Sequence, residues 1–392
     1  MARVDTDARP RILFFNGSSF IEGDTKVALG VARALASVSR LQIVTVPGEA
    51  ADAFAALPGA SVCRSRGTGS KSRALSAFGL GLSTCLRRRP ALIYTYDRTH
   101  AADVACVLAR ALQIPFVFHI NNWVMFDRHP WRFRLARRAR ELWSVSEFVN
   151  RAAVAAIAGG NHVTLINSLL DEPARESQAS ARDALGIPQA QRAVVLVGRL
   201  SPFKGQETLV RAMADPRLAA GDIHAYVVGH DTGEGADDFP ARPDFAAYLR
   251  GLANELGCGG RVHFIGWKPG GLAFRAADVA CVLSDAEPFG LVIPESIAAG
   301  VPLVATASGA IPEMLQDRET ALLVPPRQPL AVANALLELF DQPALGRQLA
   351  ARAAERTLPR LAPERFAEEV RARVDALLRA GPDRLERIPQ AK

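Results

Sequence analysis

Residues 287–295 read EPFGLVIPE. Two carboxylates, Glu287 and Glu295, bracket the turn Pro288-Phe289-Gly290-Leu291, which leads into a helix with Pro294 near its start. Proline suits the first turn of a helix because the N–H it lacks would have no partner there. Just ahead of it, the main-chain N–H groups of Phe289, Gly290 and Leu291 can point at one spot, with the positive end of the helix dipole behind them. That makes a site for an anion such as a diphosphate. A carboxylate on each side of an anion is repulsive unless each binds something neutral. Sugar hydroxyls meet that requirement, so the local chemistry suggests a nucleotide-sugar site.

Outward from this segment, an apolar strand over 278–283 precedes it and another over 302–305 follows it. The same alternation fills the second half, with strands over 193–198, 223–228, 261–265 and 321–324. Helices are expected over 204–214, 243–256, 270–276, 293–299 and 311–316, then near 329–340, 343–356 and 363–380. The first ~170 residues behave alike, with strands over 11–15, 41–46, 91–95, 115–119, 141–145 and 163–166. Their helices fall over 24–38, 70–88, 100–112, 130–139 and 147–158. Strands alternating with helices predict an α/β chain of two doubly wound, mostly parallel sheets. The polar, proline-containing stretch 171–191 reads as a linker between them. Open α/β sheets bind ligands at the carboxyl ends of their strands, so a cleft between the halves is where chemistry is expected.

Composition agrees with a soluble globular chain: 49% hydrophobic and 22% charged residues. At 392 residues it is long for one core and typical of two. No apolar run reaches the ~18 to 20 residues of a membrane span. The run ILFF (12–15) is too short for a signal peptide and reads as the first strand. Five cysteines at 63, 85, 106, 258 and 281 show no metal-ligand spacing, which suggests a reducing cytoplasm. The net charge of +7 is uneven: residues 1–190 hold 24 Lys+Arg against 15 Asp+Glu, and residues 191–392 hold 23 against 25. Much of the excess lies in Arg87-Arg88-Arg89 and in the stretch 131–140, where aromatics and arginines alternate on an expected helix. Such a helix can lie on an anionic membrane surface, or it can be a solvated basic face. No recognition module accompanies the charge, so nucleic acid is not an expected partner.

Four segments of the second half, in order, resemble the retaining GT-B glycosyltransferases, specifically the large family 4. VGRLSPFKGQETLV (197–210) is similar to the family's strand–loop–helix with its Arg and Lys, and RVHFIGW (261–267) to the strand before its base-binding loop. ADVACVLSDAEPFGLVIPESIAAGVPLVATASGAIPEML (277–315) resembles its longest signature, with the paired glutamates, and ALLVPP (321–326) its final strand. The first half matches loosely, through FNGSSFIEGDTK (15–26), SVSEF (144–148) and LINSLLD (165–171). The resemblance implies a GT-B fold: an acceptor-binding domain over 1–172, a linker over 173–190 and a nucleotide-sugar domain over 191–362. A C-terminal helix and tail, 363–392, would pack back on the first domain.

The resemblance also implies a division of labour. Transfer from a nucleotide sugar must stabilise a leaving diphosphate and an oxocarbenium-like centre, and this family does so without a metal. Arg199 and Lys204 then supply the positive charge: Arg can fork to two phosphate oxygens, while Lys acts as a point charge. The Gly290 and Leu291 amides assist, beside Phe289, where charge grows in the transition state. Glu295 would accept from ribose hydroxyls and Glu287 from the donor sugar. Trp267 and Lys268 fall where the family contacts the base, although a Trp there could equally be a core residue. Gly309 resembles the glycine of the loop beside the donor, with Ala310 where the family often has a second glycine. His119, ending the strand PFVFH, resembles the acceptor-domain histidine facing the sugar, against the plainer reading of a core histidine. Gly23 resembles a loop glycine near the diphosphate; its neighbours Asp24 and Thr25 suit a helix N-cap.

The function so implied is a retaining, metal-independent, hexosyltransferase-type glycosyltransferase needing no cofactor, with a nucleotide-diphosphate sugar and a saccharide or lipid-linked acceptor as its partners. Bacterial surface polysaccharide, lipopolysaccharide or glycolipid synthesis is the expected setting, in the cytoplasm or on the inner face of the membrane. The alternatives are a non-catalytic GT-B subunit that binds a nucleotide sugar, and another nucleotide-sugar enzyme of this architecture such as an epimerase. Asp5-Thr-Asp7 imitates a metal-binding motif but precedes the first strand, and Ser201-Pro-Phe-Lys204 lacks the partner motifs of a serine acyl-enzyme. No dinucleotide or P-loop fingerprint is present. The long segment 229–245 has no reading.

Overall fold

The segment RILFFN, Arg11–Asn16, forms strand β1 and is buried along almost its whole length. A continuous apolar run of this kind suits a parallel strand covered on both faces. The computed structural model describes residues 9–380, apart from Thr68, 97–99, 123–133, Ala158, Leu170, Glu172 and 231–243. The expected loop 229–245, the Asp5-Thr-Asp7 decoy and the C-terminal tail therefore lie largely or wholly outside the described residues. Of the basic stretch 131–140, residues 134–140 are described, and Ala136 and Ala139 are buried there. Among the described residues, no helix is long and apolar enough to cross a membrane.

Two units divide the chain: Met1–Leu170 with Pro363–Lys392, and Asp171–Ala362. In the first, β1 is followed by β2 (Arg40–Thr45), β3 (Ser61–Arg64), β4 (Leu92–Tyr96), β5 (Phe116–Ile120), β6 (Glu141–Ser144) and β7 (His162–Thr164). They make one sheet in the order β3-β2-β1-β4-β5-β6-β7. All its pairings are parallel, with Phe14 opposite Ile43 on one side and Tyr94 on the other. The order reverses between β1 and β4, which opens a crevice at their carboxyl ends.

The helix Pro363–Arg379 belongs to this unit and packs against the helix Gly23–Ala36. Its buried residues Phe366, Val370, Val374 and Leu377 recur at helical spacing and join the core formed by β1, β2 and β4. Beneath it, the Trp143 indole donates to Glu141 Oε2 at 2.6 Å. Burial pushes the Glu141 carboxyl up, while Trp143, Arg373 and Arg140 pull it down.

The second unit holds β8 (Arg192–Val197), β9 (Ile223–Val228), β10 (Val262–Phe264), β11 (Val279–Val282), β12 (Leu303–Thr306) and β13 (Leu322–Val324). Their order is β10-β9-β8-β11-β12-β13, again all parallel, with the reversal between β8 and β11. Two doubly wound parallel sheets are thus present, as the alternation of strands and helices predicts.

The structure departs from the sequence reading in small elements. Strand β3 is an edge strand with no fully buried residue, so it lacks an apolar run. The helices Glu49–Ala55 and Pro216–Ala220 are too short to show a period. The linker expectation is corrected in part: within 171–191, Gln178–Leu185 is a helix that Ser177 caps by accepting from the Ser180 N–H at 3.2 Å. Its Arg182 is buried, donating to Asp278 Oδ2 at 2.7 Å and to the carbonyls of Ala276, Gln189 and Gln191. The hydrogen bonds of Arg182, together with the buried Ala181 and Leu185, fasten this segment to the second unit, and its eight residues are too few to show a clear hydrophobic period.

Candidate functional site

The carboxyl ends of β8, β11 and β12 carry most of the residues singled out in the second half. Between β11 and the helix Val292–Ala298 runs the loop 283–291, and its Glu287 is buried. Lys204, at the end of the turn Pro202–Lys204 after β8, donates to both Glu287 oxygens, at 3.0 and 2.8 Å. The Ser284 hydroxyl donates to Glu287 Oε2 at 2.6 Å. The carbonyl of Ser284 in turn accepts from Thr306 Oγ1 at 2.6 Å and Ser308 Oγ at 2.9 Å, both at the end of β12. A carboxylate offers about four lone-pair sites. Three are taken here, which leaves room for one more donor.

The loop keeps this geometry through two glycines. Gly290 has φ +83°, and a Cβ there would lie 2.8 Å from Glu287 Cγ. Gly309 has φ +60°, and a Cβ there would collide with the main-chain N and O of Glu287. The next residue, Ala310, donates its N–H to the Glu287 carbonyl at 2.8 Å and has φ −85°. Only Gly309 is left-handed, so alanine in the second place costs the loop nothing. Phe289 is buried in the core, whereas Leu291 precedes the helix as its N-cap and is half-buried. The helix begins at Val292, so Pro294 is its third residue, within the first turn.

Arg199 follows β8, half-buried, and its carbonyl accepts from Gln206 Nε2 at 2.9 Å. Glu295 lies in the first turn of Val292–Ala298, with its carboxylate over the Gly270 backbone at the start of another helix, where no side chain intervenes. Trp267 is 58% exposed, which overturns the core alternative for it; its ring stacks on His230 with centroids 5.8 Å apart. Lys268 beside it is half-buried. Asp285 was not singled out in the sequence, yet Arg327 donates to its Oδ2 at 2.6 and 2.8 Å, joining the loops after β11 and β13. Ser284, Thr306 and Ser308 were also missed; the signal was hydroxyl residues placed directly after two apolar strands.

Two candidates lie in the first unit. Gly23 is the first residue of the helix Gly23–Ala36, without a positive φ, where the loop after β1 ends. The cap position falls on Glu22 instead of Asp24 or Thr25, and Thr25 is buried in the helix. His119 is wholly buried, wedged edge-on against Tyr94 and Trp143, with Nδ1 2.8 Å from the Tyr94 hydroxyl. Its Nε2 has no hydrogen-bond partner among the described residues. Burial lowers its pKa to about 3, so the ring is neutral at physiological pH. Between about 3 and the ordinary histidine value of about 6.5, the unfolded chain binds a proton that the folded chain refuses. Stability from this residue is therefore present above that window and lost as pH falls through it. His119→Gln is expected to flatten the rise of the urea midpoint between about pH 4 and 7 relative to wild type. An unchanged slope would contradict the buried neutral ring.

Among the described residues, no group of three or more His, Cys, Asp or Glu side chains could hold a metal ion. Residues 177–356 match the family of glycosyl transferases group 1. The chain is 38% identical over 166 residues to the D-inositol 3-phosphate glycosyltransferase of Mycolicibacterium gilvum, covering 42% of this chain and 35% of that protein. With the Corynebacterium diphtheriae protein of the same name, identity is 34% over 211 residues, 53% and 47% of the two chains. The chain thus spans less than half the length of these curated relatives. In fold it is similar to Anabaena HepE in complex with UDP and glucose, with a TM-score of 0.79, 20% identity and coverage of 94% of this chain and 100% of that one. It is likewise similar to sucrose-phosphate synthase from Thermosynechococcus elongatus, with a TM-score of 0.76, 23% identity and coverage of 95% and 100%. Residues 177–356 thus match the glycosyl transferases group 1 family, and the two parallel-sheet units of the chain have the fold of the GT-B glycosyltransferases.

Proposed function

We propose that the chain is a retaining, metal-independent glycosyltransferase that moves a sugar from a nucleotide-diphosphate sugar to a hydroxyl acceptor. The observation that carries this reading is the Lys204–Glu287–Ser284 cluster at the carboxyl ends of β8, β11 and β12, inside the family-matched region. The printed complexes of HepE with UDP and glucose and with UDP-glucose support a nucleotide sugar as the donor class. The second unit would hold the donor and the first the acceptor, a saccharide or a lipid-linked one. Bacterial polysaccharide, lipopolysaccharide or glycolipid synthesis is the proposed setting, with a peripheral membrane position as part of it.

In this reading the departing diphosphate meets Arg199, Lys204 and the amides of Gly290 and Leu291, which stabilise charge that develops in the transition state. Lys204 has three N–H donors and gives two to Glu287. Its third can reach a phosphate oxygen, and Glu287 can accept one sugar hydroxyl at its remaining lone-pair site. Lys204 thereby couples sugar recognition to phosphate departure. Glu295 takes the ribose, and Trp267 with Lys268 the base. His119, being neutral, can contribute a hydrogen bond from Nε2 but not a fixed positive charge. Retention follows if the acceptor attacks on the face the diphosphate leaves, with that diphosphate taking the acceptor's proton.

The test is to incubate the chain with UDP-, GDP- and ADP-sugars in the presence of EDTA, following donor turnover and the product anomer by NMR. Turnover with EDTA and a product of the donor's anomeric configuration is expected. Inversion, or strict dependence on a divalent ion, would refute the mechanism. Donor binding without hydrolysis or transfer would favour a non-catalytic subunit.

A further inference from the structure

Lys204 and Glu287 stand on different loops, so their contact depends on how those loops are held together. Asp285 joins them. Its main-chain N–H donates to the carbonyl of Phe203, the residue before Lys204, at 2.9 Å. On the other side of Lys204, Gly205 has φ +75°, and a Cβ there would lie 2.1 Å from the Leu283 carbonyl oxygen. The turn Pro202–Lys204 is thus seated on residues 283–285, and Ser284 within that stretch donates to Glu287.

The Asp285 side chain is held from a third loop. Arg327, after β13, donates to its Oδ2 from Nε at 2.8 Å and from Nη2 at 2.6 Å. Asp285 and, more weakly, Glu207 in the helix Gln206–Met213 raise the pKa of the guanidinium above its ordinary value.

Two observations separate this pair from an ordinary surface contact. The Arg327 side chain is 71% exposed against 13% for Asp285, and a pair so open to solvent adds little stability. Arg327 also has φ +57°, a left-handed backbone that strains a non-glycine residue and that glycine adopts freely. Arginine here therefore lowers stability through its backbone and adds little through its ion pair. What its side chain supplies is the direction of Asp285, with two nitrogens of a rigid fork fixing one carboxylate oxygen.

We infer that Arg327 is a positioning residue for the transfer reaction proposed above: through Asp285 it sets the Lys204–Glu287 contact, without touching the donor itself. Its kinetic consequence rests on that reaction, whereas the Lys204–Glu287 contact can be followed without turnover. Arg318 offers a matched control. It too has φ +57° and an exposed side chain paired with a carboxylate, Glu338, but it precedes β13, while the site lies at the carboxyl ends of the strands.

Arg327→Gly, Arg327→Lys, Asp285→Ala, the double variant Arg327→Gly with Asp285→Ala, and Arg318→Gly are compared with wild type in the full chain. The measurements are melting temperature, nucleotide-sugar kinetics, and the rate at which an N-hydroxysuccinimide ester acylates Lys204, read by mass spectrometry with Lys71 as internal reference. Arg327→Gly is expected to melt no lower than wild type, since the left-handed backbone suits glycine. Its kcat should fall about three- to tenfold with the donor KM within about twofold of wild type, because the group it misplaces acts on charge that grows in the transition state. Lys204 should be acylated about threefold or more faster as its hold on Glu287 loosens, since three N–H donors then lack their fixed acceptor. Arg327→Lys should recover part of the kcat, and the double variant should lose about as much as the larger single loss, because both changes cut one link. Arg318→Gly should match wild type in kcat and in Lys204 acylation.

Wild-type kcat and Lys204 acylation in Arg327→Gly would overturn the inference, and so would additive losses in the double variant. A donor KM raised about tenfold at constant kcat would also overturn it, since that assigns Arg327 to donor binding. Where Asp285→Ala fails to fold, Arg327→Gly against Arg318→Gly decides. No transfer by wild type, with faster Lys204 acylation in Arg327→Gly, would sink the transfer reading alone.

Discussion

Lys204→Ala and Glu287→Ala are each expected to lower kcat/KM about tenfold or more, a loss of at least ~1.4 kcal/mol of transition-state stabilisation. The structure makes these two substitutions parts of one unit, because Lys204 Nζ donates to both oxygens of Glu287. Removing Lys204 leaves a buried carboxylate whose remaining hydrogen-bond donor among the described residues is Ser284. Breaking a buried ion pair from one side costs about 3–5 kcal/mol. The Lys204 side chain is 26% exposed, which places its loss toward the lower end of that range. The double variant should therefore lose less than the two single losses added together, in both stability and rate, since the second substitution removes the uncompensated charge. Glu287→Gln separates the roles: it retains an acceptor for Ser284 and loses the charge that orients Lys204. Steady-state kinetics on variants with a wild-type circular dichroism spectrum provide the check. Near wild-type kcat/KM in Lys204→Ala, or strict additivity, would contradict the coupled assignment.

Gly309→Ala should damage both the fold and the activity of the second unit's site with a single added methyl. The backbone at 309 has φ +60°, and a non-glycine residue held in a strained conformation costs about 1–3 kcal/mol. The new Cβ also meets main-chain atoms of Glu287, which cannot rotate away as a flexible side chain could. Overpacking adds roughly 1–3 kcal/mol. Relief requires moving the Glu287 backbone, and with it the Lys204 contact, so activity should fall together with the melting temperature. Ala310→Gly serves as the control: with φ −85° at Ala310 it creates no clash, and costs one buried methyl and some chain flexibility without displacing Glu287. A melting temperature for Gly309→Ala within experimental error of wild type would contradict the described loop.

The sheets were largely legible because parallel strands buried on both faces are continuous apolar runs, as in IHAYVV, Ile223–Val228. Neither strand β3 nor the helix Gln178–Leu185 was, because one is a half-exposed edge and the other, eight residues long, is too short to show a period and is anchored in part by the buried Arg182. In the site, Glu287, Gly290, Glu295 and Gly309 stand close in sequence and could be picked out by motif. The backbone at Gly23 was not legible, since a glycine at a helix start and one in a loop look the same before the backbone is known. His119 posed a related problem: its position late in a strand was visible, but its complete burial between Tyr94 and Trp143 depends on neighbouring strands.

By itself the sequence determined two α/β halves and a set of charged and glycine residues suited to a nucleotide sugar, since hydrophobic period and turn chemistry are local. Only the tertiary structure decided that Lys204 and Glu287 are partners. They are 83 residues apart, and they meet because β8 and β11 lie side by side in the sheet although β9 and β10 separate them along the chain. Strand order is set by how crossovers pack, so a contact made across it is not written in any local pattern.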